Sequence, residues 1–397
     1  MEIRNVTADE MAEYLSVGRY AFAFWGDEPI SHEALETRRL EDSFAVFVDG
    51  QVVATLHNIP FEQSVRGVWK SMGGVASVAT FPEHRRKGYV RALIRRAFED
   101  MRDKDQPVTI LYPFRDTFYA AFGYVTAHSH MEVTVSSSSL AHYMPHVKLP
   151  EGMRYERRNA KDVRARRTDF LRDQMGHVHG LVIDPARPDT AYVRYNKDWL
   201  VVFVMNGDRV DAIATYRLKG YGDEGTLDVY DMYWLDRTAR DRLFGYFALH
   251  GTDANKVKLP AAYGDHFQSW LRQPADPYKL DMNFRTPMGR VVDVIGAVNG
   301  LPGASAGELS LSLEDEYAPW NSGTYTLSAT NGTLSAERSK SDTPITISVQ
   351  GISALVYGAL PLAEIIHRGW VSGLDSRTTA LLESWFPPQP IYMTYGF

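Results

Sequence analysis

Residues 75–90, VASVATFPEHRRKGYV, constrain the fold of this 397-residue chain more than any other stretch. The first half alternates β-branched and small residues, as a strand does, and the second half is a basic turn with one glycine leading into an amphipathic segment, Val90 to Met101. A strand feeding a helix through such a turn leaves the first helical amides without intrahelical partners. It also aims the positive end of the helix dipole into the turn, where a phosphate group fits. Gly88 leaves the backbone open to a ligand because it carries no side chain. A basic run ahead of a helix is also what a plain solvated face looks like, so the neighbouring segments decide between the two readings.

Downstream, Pro107 to Phe114 (PVTILYPF) predicts a second buried strand, Asp116 to Gly123 (DTFYAAFG) a short helix, and the alternating run from Tyr124 to Val135 a further strand. The turn Arg85-Arg86-Lys87-Gly88-Tyr89-Val90 resembles the R-x-x-G-x-G/A pyrophosphate loop of GNAT-superfamily acetyltransferases, with Val90 where the last small residue usually stands. Phe118 to Tyr124 resembles that superfamily's F-Y-x-x-F-G-Y string, at the matching distance. The resemblance implies two central strands that splay apart so that acetyl-CoA lies between them, with its pyrophosphate at the turn.

At 397 residues the chain is too long for a single core and should hold two or three domains. Its composition, 44% hydrophobic and 23% charged, is that of an ordinary globular protein, and no apolar run reaches the roughly 18–20 residues of a membrane span. Glu2, Asp9 and Glu10 stand where a signal peptide would need basic and then apolar residues, so a cytoplasmic location with no membrane partner is expected. The absence of cysteine excludes disulfides, thiolate metal sites and an acetyl-cysteine intermediate, leaving direct transfer or another nucleophile. A net charge of -6 argues against nucleic acid as a partner. None of the twelve histidines has a metal-ligand spacing; His177 and His179 come nearest and read as a loop pair, so no metal is expected.

Met11 to Phe24 has helical spacing and ends in an aromatic run from which Phe22, Phe24 and Trp25 either pack in the core or line an acceptor pocket, with Asp27 and Glu28 adding negative charge nearby. A hairpin follows, Phe44 to Val48, Asp49-Gly50 and Val52 to His57. Serines at 136–139 and the prolines 145 and 150 mark a boundary, after which the order repeats. The second hairpin is Trp199 to Met205 and Val210 to Tyr216, its central strand Thr226 to Leu235, its helix Thr238 to His250 and its next strand Val257 to Leu259. In this copy the turn reads Asp236-Arg237-Thr238-Ala239-Arg240-Asp241, without glycine and with carboxylates where phosphate would sit, so it should bind no coenzyme A.

A third region opens with an expected helix from about Arg285 through Val298. It continues as strands Leu309 to Leu313, Gly323 to Ala329, Gly332 to Glu337 and Ile345 to Val349, then as helical segments 351–360, 361–367 and 377–385. The chain closes on three prolines followed by IYMTYGF. An apolar, proline-stiffened terminus calls for burial, and the Phe397 carboxylate is then either simply docked or positioned for chemistry.

The whole arrangement resembles the enhanced intracellular survival (Eis) family. The expected fold is α+β: two tandem GNAT-like domains, each a mixed central sheet flanked by helices and the second degenerate, plus a C-terminal sterol-carrier-protein-like α+β domain. The boundaries fall at residues 1–147, 148–285 and 286–397. The resemblance implies acetyl-CoA contacts from Val78, Thr80, Arg85, Arg86, Gly88, Tyr89 and Val90, with Tyr119 as general acid and the carboxylate of Phe397 as general base. It further implies a homohexamer and acetylation of a small-molecule amine, aminoglycoside- or polyamine-like. Gly396 departs from the acidic residue found there in aminoglycoside-modifying members. Two alternatives stay open: a protein-lysine acetyltransferase, and an acyl-CoA or lipid-binding protein with a vestigial GNAT site.

Overall fold

The computed structural model describes residues 1–22, 38–127, 130–185, 198–262, 264–281 and 286–397, and three sheets organise them. In chain order, β1 (Glu2–Asn5), β2 (Ser43–Val48), β3 (Gln51–Val65), β4 (Val68–Thr80), β5 (Val108–Leu111) and β6 (Val125–Thr126) come first. They are followed by β7 (His130–Ser136), β8 (Met153–Asn159), β9 (Val182–Ile183), β10 (Leu200–Asn206), β11 (Arg209–Lys219), β12 (Gly222–Trp234), β13 (Ala254–Ala262), β14 (Tyr278–Asp281) and β15 (Met288–Val291). The first sheet runs β1-β2-β3-β4-β5-β15-β6 with β9 on β3, and the second β14-β7-β13-β12-β11-β10-β8.

Each of these two sheets has one parallel pair, β4 with β5 and β12 with β13, and each pair is bridged by a helix, Tyr89–Asp103 and Arg237–Ala248. The repeat read in the sequence is thus a repeat of fold. Helix Tyr89–Asp103 buries Leu93, Ile94, Ala97, Phe98 and Met101 on one stripe against Phe44, Val46, Leu56, Val75 and Leu111 of the first sheet. Each large side chain so buried contributes on the order of 1.5–3 kcal/mol.

Two segments lie elsewhere than their patterns suggested. The run ending at Val135 was expected next to the strands of the first domain, but β7 pairs along its full length with β13 of the second sheet. The expected helix from Arg285 through Val298 is instead strand β15, inserted between β5 and β6, and a short helix Val294–Val298 that begins only after Asp293 caps Gly296 N at 2.6 Å. Residues 288–298 are apolar nearly throughout, and such a run has no period with which to separate a doubly buried strand from a helix.

The third sheet joins Gly307–Glu314, Gly323–Thr330, Thr333–Ser339, Thr346–Ser348 and Val371–Ser372, with helices Val349–Val356, Leu362–His367 and Ser376–Trp385 packed on it. Its core is continuous with the face of the first sheet formed by Phe61, Met72, Val108 and Ile110. The junction also buries an ion pair: Arg290 on β15 donates to Asp315 at 2.6 Å and to Phe122 O at 2.7 Å, both side chains being wholly enclosed. Among the described residues no helix is long and apolar enough to cross a membrane.

Candidate active site

β4 and β5 pair from Met72/Val108 to Val75/Leu111 and then part, while β4 continues to Thr80 on β3 alone. The parting coincides with a bulge: the β3–β4 register shifts between Thr55 and His57, and Ser77 takes φ 52°, a conformation costly for a residue with a side chain. Ser77 O turns towards β3, where Thr55 Oγ1 donates to it at 2.9 Å, and Ala79 pairs with Thr55. Alternation then turns the main chain of Val78 and Thr80 outwards, into the gap left by β5. Thr80 O already accepts from Arg85 Nε at 3.2 Å, which ties the turn to the strand end.

At the turn Gly88 adopts φ 83° as the N-cap of helix Tyr89–Asp103, no side chain caps that end, and a Cβ on Gly88 would meet nothing within 4 Å. The helix start is thus open at Gly88 among the described residues, with Arg85, Arg86 and Lys87 exposed beside it, while Tyr89 and Val90 are half-buried where the helix meets the core. Two buried polar atoms beside the turn, Thr80 Oγ1 and His84 Nδ1, have no hydrogen-bond partner among the described residues. An uncapped helix start, three cations and orphaned polar atoms suit a pyrophosphate, and the free strand edge suits the amides of a pantetheine arm. The second copy differs at the same place. There Asp236 caps its helix by accepting from Ala239 N at 2.8 Å, so its own carboxylate occupies the anion position.

Tyr119 sits on helix Asp116–Ala120, is only 4% exposed, and packs between Phe114, Phe118 and Tyr124. Burial raises its pKa well above the usual phenol value, so its hydroxyl stays protonated at neutral pH. Arg290 steadies the turn that follows through Phe122 O, and Tyr124 Oη lies 3.2 Å from Thr109 Oγ1. Asp116 is the first helical residue after the N-cap Arg115, and its carboxylate accepts from Thr126 Oγ1 at 3.1 Å.

The C-terminus lies at the same splay. The Phe397 ring packs 4.9 Å from Phe61 and 5.6 Å from Tyr112, over Gly74 of β4, where any Cβ would strike Phe61 and come within 3.1 Å of the Phe397 ring. Gly73, the preceding residue, faces Met101 on the opposite side of the sheet, the side that carries Tyr119. The terminus and Tyr119 thus stand on the two faces of one sheet, beside the gap where β4 and β5 part. Phe397 is half-buried, so its ring is anchored without complete enclosure.

Of the aromatic residues read as a pocket, Phe22 follows helix Met11–Ala21 and is 45% exposed, whereas Phe24, Trp25, Asp27 and Glu28 lie outside the described residues. His179 is a structural residue: Arg66 N donates to its Nδ1 at 3.0 Å, its Nε2 lies 3.0 Å from Tyr357 O, and burial lowers its pKa to about 4. The sequence reading passed over Phe61, Tyr112 and Arg66. Tyr112 alone carried a signal, as a polar-tipped ring at the end of an apolar strand. Arg66 is buried with no carboxylate partner among the described residues and donates to Leu355 O, Val356 O and Pro387 O at 2.7, 3.0 and 2.9 Å, pinning the start of the C-terminal tail to the end of helix Val349–Val356.

Family models match three stretches of the chain. Residues 2–127 and 157–291 each match an acetyltransferase (GNAT) domain, and residues 291–394 match a sterol carrier protein domain. An uncharacterized N-acetyltransferase of Streptomyces coelicolor is 24% identical over 378 residues, covering 88% of this chain and 87% of the relative. Among solved structures, a GCN5-related N-acetyltransferase from Anabaena variabilis matches all of both chains with TM-score 0.84 at 18% identity. Eis1 from Mycobacterium abscessus also matches all of both chains, with TM-score 0.81 at 17% identity. These structural likenesses establish a shared three-domain fold.

Proposed function

This chain belongs to the GNAT acetyltransferases, whose domain it carries twice, and we propose that it passes acetyl from acetyl-CoA directly to a primary amine of a small molecule, in its first domain only. The observation that carries this reading is the outer edge of β4 at Val78 and Thr80, which no strand pairs with among the described residues, with the uncapped Gly88 helix start at one end and the Phe397 terminus at the other.

Amine acetylation needs a base, because an ammonium has no lone pair for the thioester carbon, and an acid, because a thiolate leaves. The Phe397 carboxylate takes the proton of the amine, directly or through one water. The outward main-chain amide of β4 at Val78 meets the charge that develops on the thioester oxygen. The C–S bond breaks as the N–C bond forms, and the Tyr119 hydroxyl supplies the proton to the departing sulfur. Tyr119, held protonated by burial, has the proton to give.

An acceptor with several positive charges fits less well. Gly396 brings no carboxylate to the terminus, and the cation Arg38 donates to Ser77 Oγ at 3.0 Å beside the bulge. Protein lysines are the second reading. A panel of monoamines, polyamines, aminoglycosides and lysine peptides, assayed for acetyl-CoA-dependent thiol release, is expected to give turnover with small amines. Turnover confined to peptides would replace this acceptor class by protein lysine, and no turnover with any amine would leave the proposal without support.

A further inference from the structure

The degenerate second domain preserves the shape of the first but not its phosphate turn, and its own splay is filled. β12 and β13 pair at Gly222/Ala254 and again from Thr226/Lys256 to Asp228/Lys258, beyond which no rung joins them among the described residues. One residue later the β11–β12 register shifts, Thr215 pairing with Asp231 and Tyr216 with Val229, so Tyr230 is the extra residue of a bulge at the place that Ser77 occupies in β4.

The C-terminal tail runs past both walls of this cleft. Pro390 comes 4.0 Å from where a Cβ on Gly264 would stand, just beyond β13, and Ile391 lies against Gly180. Tyr392 N donates to His179 O at 2.7 Å, and the Tyr392 ring meets Tyr233 of β12 edge-on at 5.6 Å. Next, Tyr395 O accepts from Tyr112 Oη at 2.9 Å, Tyr395 Oη donates to Asp184 at 3.0 Å, and Gly396 N donates to Tyr230 Oη at 3.3 Å. The peptide between Tyr395 and Gly396 is therefore held between a first-domain tyrosine and a bulge tyrosine of the second domain.

From this we infer that Tyr230, with Asp184, is a positioning residue for the acyl transfer: the second domain has exchanged cofactor binding for gripping the C-terminal tail and aiming its carboxylate at the first domain's site. The inference rests on the reading of that carboxylate as the base. A bulge swings a side chain out of the ladder's alternation, which lets Tyr230 reach Gly396 while its neighbours stay paired. Because only the Gly396–Phe397 peptide lies between this grip and the Phe397 carboxylate, a slack Gly396 gives a carboxylate displaced from the amine without disturbing the cofactor turn.

The test is Tyr230→Phe, which keeps the ring and removes the acceptor oxygen. It is assayed with the native terminus and again in a chain extended past Phe397. With the native terminus, kcat is expected to fall about five- to tenfold, the effect of one modest hydrogen bond, with KM for acetyl-CoA and the melting temperature unchanged. In the extended chain the residual rate should not fall further, since nothing remains to be aimed. Wild-type kcat in Tyr230→Phe, or the same fold-loss in both backgrounds, would overturn the positioning role. Full turnover by the extended chain is a separate result that would overturn the base itself. Asp184→Asn gives a second reading of the same kind, through Tyr395, should Tyr230→Phe be poorly folded.

Discussion

A chain extended past Phe397 by a few residues is expected to fold normally and to lose turnover by roughly 10² to 10⁴, the range for removal of a positioned proton acceptor. The extension converts the terminal carboxylate into an amide, which has no comparable basicity, and it drives new main chain from the spot where the Phe397 ring meets Phe61 and Tyr112. The fold should survive because the tail is anchored upstream of the terminus, at Pro387 O by Arg66 and at Gln389 N by Gly358 O. Acetyl-CoA affinity should survive as well, since the Gly88 turn lies at the far end of the β4 edge. The check is a steady-state rate beside a melting curve and a binding isotherm for the extended protein. Deleting Phe397 is the harsher companion, removing the anchoring ring and moving the carboxylate back one residue. A folded, extended enzyme with full turnover would return the tail to a purely structural role.

Tyr119→Phe is expected to leave acetyl-CoA affinity intact and to reduce kcat by a similar 10² to 10⁴. The ring packs against Phe114, Phe118 and Tyr124, and phenylalanine preserves those contacts. The variant keeps every ring contact and removes one oxygen, so stability should change little. What is lost is a proton donor that burial keeps protonated across the neutral range. The alkaline limb of the pH–rate profile, if it reports Tyr119, should be displaced well above the ordinary phenol range and be absent in the variant. Saturating-substrate kinetics across pH measure both effects; an unchanged kcat would remove Tyr119 from the mechanism.

Much of this was readable in the sequence because the informative features are local. The strand, glycine turn and helix of 75–101 needed only period and a helix N-terminus, and the second copy declared itself by repeating the hairpin, central strand and helix with Asp236 in place of an open turn. What could not be read depends on pairing across long separations. Nothing in HMEVTVS states that β7 joins β13 rather than β6, and nothing in MGRV states that β15 slots between β5 and β6. Arg66 looks like any hairpin-tip arginine until the carbonyls of residues almost 300 positions later come to it. Tyr230 was invisible for a further reason: its role follows from a one-residue register shift, which side-chain pattern does not encode. The tail was legible as apolar and stiff, but its path through the second domain was not.

The claim on which the rest depends is that the chain holds one competent cofactor site, in the first domain. Titrating the protein with acetyl-CoA by calorimetry, alongside Gly88→Glu, tests it most directly. Glutamate at a residue with φ 83° strains the turn and sets a negative charge before the open helix start. One site per chain in the native protein and none in Gly88→Glu is the predicted result; two sites per chain, or an undiminished isotherm in Gly88→Glu, would contradict it.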